Sequence, residues 1–310
     1  MHKKKIFIYF SLIFLIFNQN LFSTENKILF KIDQEIITSI DVENEYRYLI
    51  ALNSNIRNLS NDEIFEISKK SSIREKIKKI VINDNFKEPK VPDEYLDLLL
   101  KSIYQKININ NLNEFKEYLK SNKIDYQNVR NKIEIEALWN ELIMLKFKSK
   151  IQIDKNEIKK SILNKKKTIS KSYFLSEILF EISNSDDLSK TYSKIKNTIN
   201  EKGFDNAALR YSISNSASTG GEIGWVEESS LNKKLISILS NKKENEITDP
   251  IATPGGFLIL KINQIKKTEN KLNINDEVEK IVNIKTNNQL KQFSLIYFNK
   301  VKKDINIDEI

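Results

Sequence analysis

The period of the apolar residues changes near Ser172, and this change constrains the fold more than any other feature of the chain. Up to about residue 167 the apolar side chains recur at the three-to-four spacing of amphipathic helices. After Ser172, two runs alternate as strands do, at 173–182 and 257–265, with helical stretches and glycine turns between them. A helical stripe then returns over about 276–301. These periods predict an α+β protein: a mostly helical N-terminal half, a compact α/β unit of roughly 100 residues, and a final helix that must bury its stripe against something outside that unit.

Local signals fill in the first half. Residues 27–32 and 35–38 alternate around Asp33-Gln34, which predicts a hairpin. Ser39 is a candidate N-cap, with Val42, Tyr46, Leu49 and Ile50 on one face. Ser60-Asn61-Asp62-Glu63 has capping-box spacing. Pro92 fits a first helical turn, and Tyr95, Leu96, Leu99 and Ile103 form the expected stripe. Asn113 and Asp125 open two further helices, and Asp154 with Glu157 begins a Lys-rich one ending near Lys167. In the second half, helices are expected at 186–200, 205–211 and 231–239, with Gly203 permitting the first break. The final stripe is Leu290, Phe293, Ile296, Tyr297 and Val301.

Composition excludes several function classes. The 310 residues are 40% apolar and 30% charged, so a sizeable core is expected. Net charge is +9; Lys3, Lys4 and Lys5 carry three of those charges, leaving +6 elsewhere, dispersed among Asp, Glu and Asn. No clustered basic footprint or recognition motif points to nucleic acid. There is no cysteine, and the only histidine is His2. Without His or Cys downstream, neither a Ser-His-Asp nor a Cys-His mechanism is available, nor an ordinary zinc site. No metal or cofactor is expected. The acidic pairs Asp186-Asp187 and Glu227-Glu228 sit beside turns and read as solvated loop charge.

Residues 1–23 read as a secretory leader: a basic start, a 12-residue apolar stretch from Ile6 to Phe17, and Ser23 before a cut. That stretch is short of the ~20 residues that span a bilayer. An uncleaved anchor is the alternative, and a lipid anchor is excluded by the missing cysteine.

The landmarks from 172 to 262 come in a specific order: YFLSEILF (173–180), YS (211–212), GGEIGW (220–225) and DPIATPGGFLILKI (249–262). In order and spacing they resemble the parvulin family of peptidyl-prolyl isomerases. The resemblance implies an apolar proline slot at Val226, Leu231 and Leu235. It implies active-site positions at Glu177 and Leu258, where the family places histidines, at Ser214, where it places a Cys or Asp, and at Thr253, where it places a hydroxyl. Prolyl isomerisation breaks no bond and has a barrier of roughly 18–20 kcal/mol; it needs the slot and groups that favour a twisted amide. Ser214 could donate a hydrogen bond and Glu177 could accept one, but Leu258 can do neither. Weak isomerase activity, or none, is the expectation, with peptide binding retained.

The chain as a whole resembles SurA-type periplasmic chaperones through residues 28–46, 113–126, 138–158 and 288–307, although only one parvulin unit is visible. That resemblance implies four segments: a signal peptide (1–23), a helical chaperone domain (24–168), an inserted parvulin-like domain (169–268), and a C-terminal helix packing on the helical domain (269–310). It implies a periplasmic carrier that binds unfolded outer-membrane proteins and Xaa-Pro segments through apolar grooves, with outer-membrane assembly machinery as a further partner. The alternatives are a working isomerase that assists exported proteins and a membrane-anchored folding factor.

Overall fold

The computed structural model describes residues 26–164, 169–182, 187–269 and 274–310. The leader and Asp186 lie outside the described residues. The hairpin forms as β1 (Ile28–Ile32) and β2 (Glu35–Thr38). Helices follow as α1 (Ser39–Leu52), α2 (Asn61–Asn85), α3 (Asp93–Lys106), α4 (Leu112–Ser121), α5 (Tyr126–Phe147) and α6 (Lys155–Asn164). The α/β unit runs β3 (Ile169–Phe180), α7 (Leu188–Lys202), α8 (Phe204–Tyr211), β4 (Glu222–Glu227), α9 (Lys233–Ser240), β5 (Ile251–Thr253) and β6 (Gly256–Glu269). The chain ends with α10 (Ile274–Asp304) and β7 (Ile307–Glu309).

Several caps differ from the sequence reading by a residue or two. Thr38, not Ser39, caps α1, in a box closed by Asp41. Asn111 rather than Asn113 caps α4, and Pro92 sits at the N-cap of α3 rather than inside it. The Ser60–Glu63 box is present as expected. The α3 stripe is rotated: Leu96, Leu100 and Tyr104 are buried, while Tyr95 and Leu98 face solvent. Residues 95–100 are nearly all apolar, so several stripes were open and packing on Phe115 selected one.

The main core lies between α2, α3, α4, α5 and α10. Trp139 of α5 is fully buried at its centre. Its indole N–H donates to Ser294 Oγ at 2.8 Å, and its ring contacts those of Tyr297 and Phe298 at 5.7 and 6.0 Å. Phe147 stacks on Phe293 at 5.0 Å. The final helix thus completes the N-terminal half across some 150 residues of intervening chain. Beyond it, β7 pairs antiparallel with β1 and makes a three-stranded sheet, β2-β1-β7, that the sequence did not reveal. Ile296, placed on the α10 stripe from sequence, is largely exposed.

In the α/β unit the strand order is β4-β3-β6-β5, all antiparallel. Two of these strands, β4 and β5, were not anticipated. Helices α7 and α8 cover one face, packing on Ile178, Phe180 and Ile259. On the other face Tyr173, Leu175, Leu260 and Ile262 pack with Leu239 of α9.

The unit docks on the helical half through α8 and the segment that follows it. Leu209 joins Leu49, Ile56, Leu59, Ile64 and Ile67 in one cluster. Glu63 receives Lys202 and Arg210, each at 2.5 Å. Arg74 donates to the Ser214 carbonyl at 3.1 Å. The Lys202 hydrogen bond, then the Ser60 N–H, hold the Glu63 carboxyl down to about 2, against an ordinary value of 4.5. A depressed carboxyl contributes stability above its unfolded pKa and loses it as pH falls through the folded one. Glu63→Gln keeps the cap but loses both charge-assisted bonds, so it should cost about 1–3 kcal/mol at neutral pH. In paired denaturant titrations the gap from wild type should close between pH 4.5 and about 2; a gap independent of pH would contradict this account.

Candidate functional site

Five of the seven implied site residues lie on the face of the sheet that carries α9. Pairing places Glu177 opposite Leu260 and Leu179 opposite Leu258, so Glu177 and Leu258 project from that face beside Leu260. Val226, Leu231, Leu235 and Leu258 are half-buried around Leu239, Leu260 and Ile262. Val226 comes from β4 and Leu235 from α9. Leu231 precedes α9, at the end of a short 3-10 turn, rather than opening the helix. The three slot positions and two of the four active-site positions therefore share one apolar surface.

Glycines set the back of this surface. Glu177 N–H donates to the Gly221 carbonyl at 2.8 Å. Gly221 has φ +81°, and a Cβ there would lie 2.3 Å from the Glu177 carbonyl oxygen and 2.9 Å from Ala208 Cβ. Both backbone atoms and helix α8 would have to give way. Gly221→Ala should therefore destabilise the α/β unit by at least about 2 kcal/mol, read as earlier loss of structure at Trp225 while the helical half stays folded.

Ser214 reaches Glu177 through a residue that sequence reasoning missed, Ser216. Ser216 Oγ donates to Glu177 Oε1 at 2.8 Å, Ser214 and Ser216 hydroxyls are 2.6 Å apart, and Ser212 and Ser214 hydroxyls are 3.0 Å apart. The direction of every proton follows from one fact: a carboxylate only accepts. Ser216 spends its proton on Glu177, so the proton between Ser214 and Ser216 comes from Ser214. The next must come from Ser212, which accepts the Leu179 N–H at 3.1 Å. Ser214, read from the sequence as a possible hydrogen-bond donor, is 4% exposed and donates to Ser216. The alternating S-x-S-x-S at 212–216 was the available signal, with Ser212 and Ser214 on extended backbone and Ser216 in the 3-10 turn that follows.

Thr253 lies apart from this string. Its hydroxyl donates to the Gly256 carbonyl at 2.9 Å and closes the β5–β6 turn. None of the four active-site positions thus offers an uncommitted proton donor. Of the acidic pairs, Asp187 caps α7, Glu227 pairs with Lys280, and Glu228 accepts from the Tyr173 hydroxyl at 3.2 Å. Among the described residues there is no group of three or more His, Cys, Asp or Glu that could hold a metal ion.

A second concavity lies in the helical half, between α1, α2 and α5, with a volume of about 280 Å³. Its walls mix charged and polar side chains, Asp41, Glu45, Glu75 and Lys132 among them, with the aliphatic Ile37, Ile124, Val129 and Ile135. Large exposed apolar side chains sit elsewhere: Tyr95 and Leu98 (63% exposed) on α3, and Met144 and Leu145 at the end of α5. Among the described residues no helix is long and apolar enough to cross a membrane.

The slot positions thus sit on a four-stranded antiparallel sheet, carried beside a helical scaffold that the last helix completes. Residues 178–264 match the rotamase, or PPIC-type PPIASE, domain family. The chain is similar to the chaperone SurA of Pseudomonas putida, 28% identical over 184 residues, 56% of this chain and 43% of the relative. It is likewise similar to the chaperone SurA of Pseudomonas aeruginosa, 27% identical over 201 residues, 61% and 47% of the two chains. The matched regions span less than half the length of these relatives. A solved structure described among the SurA-like chaperones of Campylobacter jejuni covers 92% of this chain and 99% of its own, at 18% identity and TM-score 0.33.

Proposed function

We propose that the protein is a periplasmic chaperone that holds unfolded outer-membrane proteins, and that its parvulin-type unit binds proline-containing segments with little or no isomerase activity. The observation that carries the second part is the fate of the protons. Ser214 and Thr253 both donate within the protein, Glu177 accepts, and Leu258 is aliphatic. Isomerases of this kind act by stabilising a twisted amide electrostatically, and this site has no donor to spare. The slot reading is supported, by contrast, by Val226, Leu231, Leu235 and Leu258 lying half-buried on one apolar cluster.

The first part is supported by the likeness to SurA chaperones and by the exposed apolar side chains of the helical half. Tyr95 and Leu98 on α3 are candidates for client contact. At about 25 cal/mol per Å², covering a few hundred Å² of such surface gives several kcal/mol before ordering costs. The resulting binding is weak and reversible, as a carrier needs.

The fold makes a direct test practical. Ser172 and Lys266 are paired neighbours on β3 and β6, so excising 172–265 leaves two ends that a short linker can join. Suppression of aggregation of an unfolded β-barrel protein should survive this excision and should fall when Leu98 is replaced by Asp. Loss of suppression on excision would move the holding function into the α/β unit.

A further inference from the structure

We infer that Glu177 makes the proline slot selective for segments in which a lysine or arginine lies beside the proline. This inference rests on reading the unit as a binder of proline segments, and adds the charge of the segment it takes.

Three observations carry it. Glu177 is half-buried on the slot face, opposite Leu260 and beside the surface that Val226, Leu231 and Leu235 line. Among the described residues it forms no ion pair, and Ser216 is its side-chain partner, through Oε1. The nearest lysine in register, Lys261, pairs with Ser176, and strand alternation directs it to the opposite face. A carboxylate at the edge of an apolar surface, with one oxygen unpaired in the protein, gains most from a cation brought by the ligand. It repels an acidic neighbour and gains nothing from a neutral one.

The serine string gives this preference its geometry. Both of its ends lie on β3, at the Leu179 N–H and at the Glu177 carboxylate, and every hydroxyl proton in it points toward Glu177. Ser216 is thereby a positioning residue. It holds Oε1, and the string has no proton to offer a substrate carbonyl or an acidic side chain. At Glu177 the slot favours an ammonium or guanidinium group and disfavours an acidic side chain.

The test measures binding of short fluorescent peptides to the full chain. Three otherwise identical peptides place Lys, Ala or Glu immediately before the proline. The wild-type protein should bind the Lys peptide about three- to tenfold more tightly than the Ala peptide, and the Glu peptide least. Glu177→Gln should remove the Lys preference, and Ser216→Ala should reduce it. Leu231→Ala should weaken all three peptides together. Equal affinities for the three peptides on the wild type would overturn the charge inference while leaving the slot reading in place. Failure of any of them to bind, or binding indifferent to Leu231→Ala, would overturn the slot reading and the inference with it. Because the peptide series needs only the wild-type protein, a variant that fails to fold does not decide the outcome.

Discussion

Trp139→Ala should destabilise the protein by about 3–5 kcal/mol and detach the last helix from the helical half. The indole is fully buried where α5 meets α10. It contacts Tyr297 and Phe298, donates to Ser294, and lies 5.7 Å from the Lys78 ammonium. Truncation would leave a cavity among side chains that cannot collapse, because Phe147 and Phe293 stack just beyond. It would also leave Ser294 without its buried donor. As β7 follows α10 and completes the first sheet, its pairing with Phe30, Lys31 and Ile32 should loosen too. Amide exchange read across α10 and β7 checks this: protection should fall there and at the centre of α5, but persist in β3 and β6. A uniform loss over both halves would mean that the two unfold as one.

Lys132→Met should be comparably severe, at about 3–5 kcal/mol, for an electrostatic reason. Lys132 Nζ sits 2.6 Å from Glu45 and 2.5 Å from Glu75, and its ammonium lies 5.0 Å from the Tyr48 ring. Burial by itself would lower its pKa, but the two carboxylates more than offset this and raise it. Burial, which disfavours charge in both groups, pushes the Tyr48 phenol up. Removing the ammonium would leave Glu45, 7% exposed, as a buried charge near a second one. The loss should shrink on adding Glu45→Gln, which removes the charge that Lys132 neutralises. A double variant no more stable than Lys132→Met, measured by denaturant unfolding, would contradict this reading.

Much of the scaffold was legible because its signals are local. The hairpin around Asp33-Gln34 and the Ser60–Glu63 box need only a few neighbouring residues. What stayed hidden depends on distant partners. The last three-residue strand is a strand only because β1 lies beside it. β4 carries Gly224 in its middle and an exposed Trp225, which breaks any clean alternation. The stripe of α3 was ambiguous until Phe115 and its neighbours chose the buried face.

In the candidate site, Glu177, Val226, Leu231, Leu235 and Leu258 share one sheet face while Ser214 and Thr253 lie off it, and their chemistry could not be read from their identities. Ser214 looks like a donor in the sequence, and it donates inside the protein, to Ser216, with Glu177 downstream in a single chain of hydrogen bonds. Thr253 looks like the one retained hydroxyl, and the Gly256 carbonyl takes its proton. A proton's destination is a property of the assembled site.

The most direct measurement follows prolyl isomerisation of a Xaa-Pro peptide and suppression of aggregation of an unfolded outer-membrane protein on one purified sample. Suppression without acceleration of isomerisation is the expected result. Acceleration abolished by Leu231→Ala would show a working catalytic site and contradict the account.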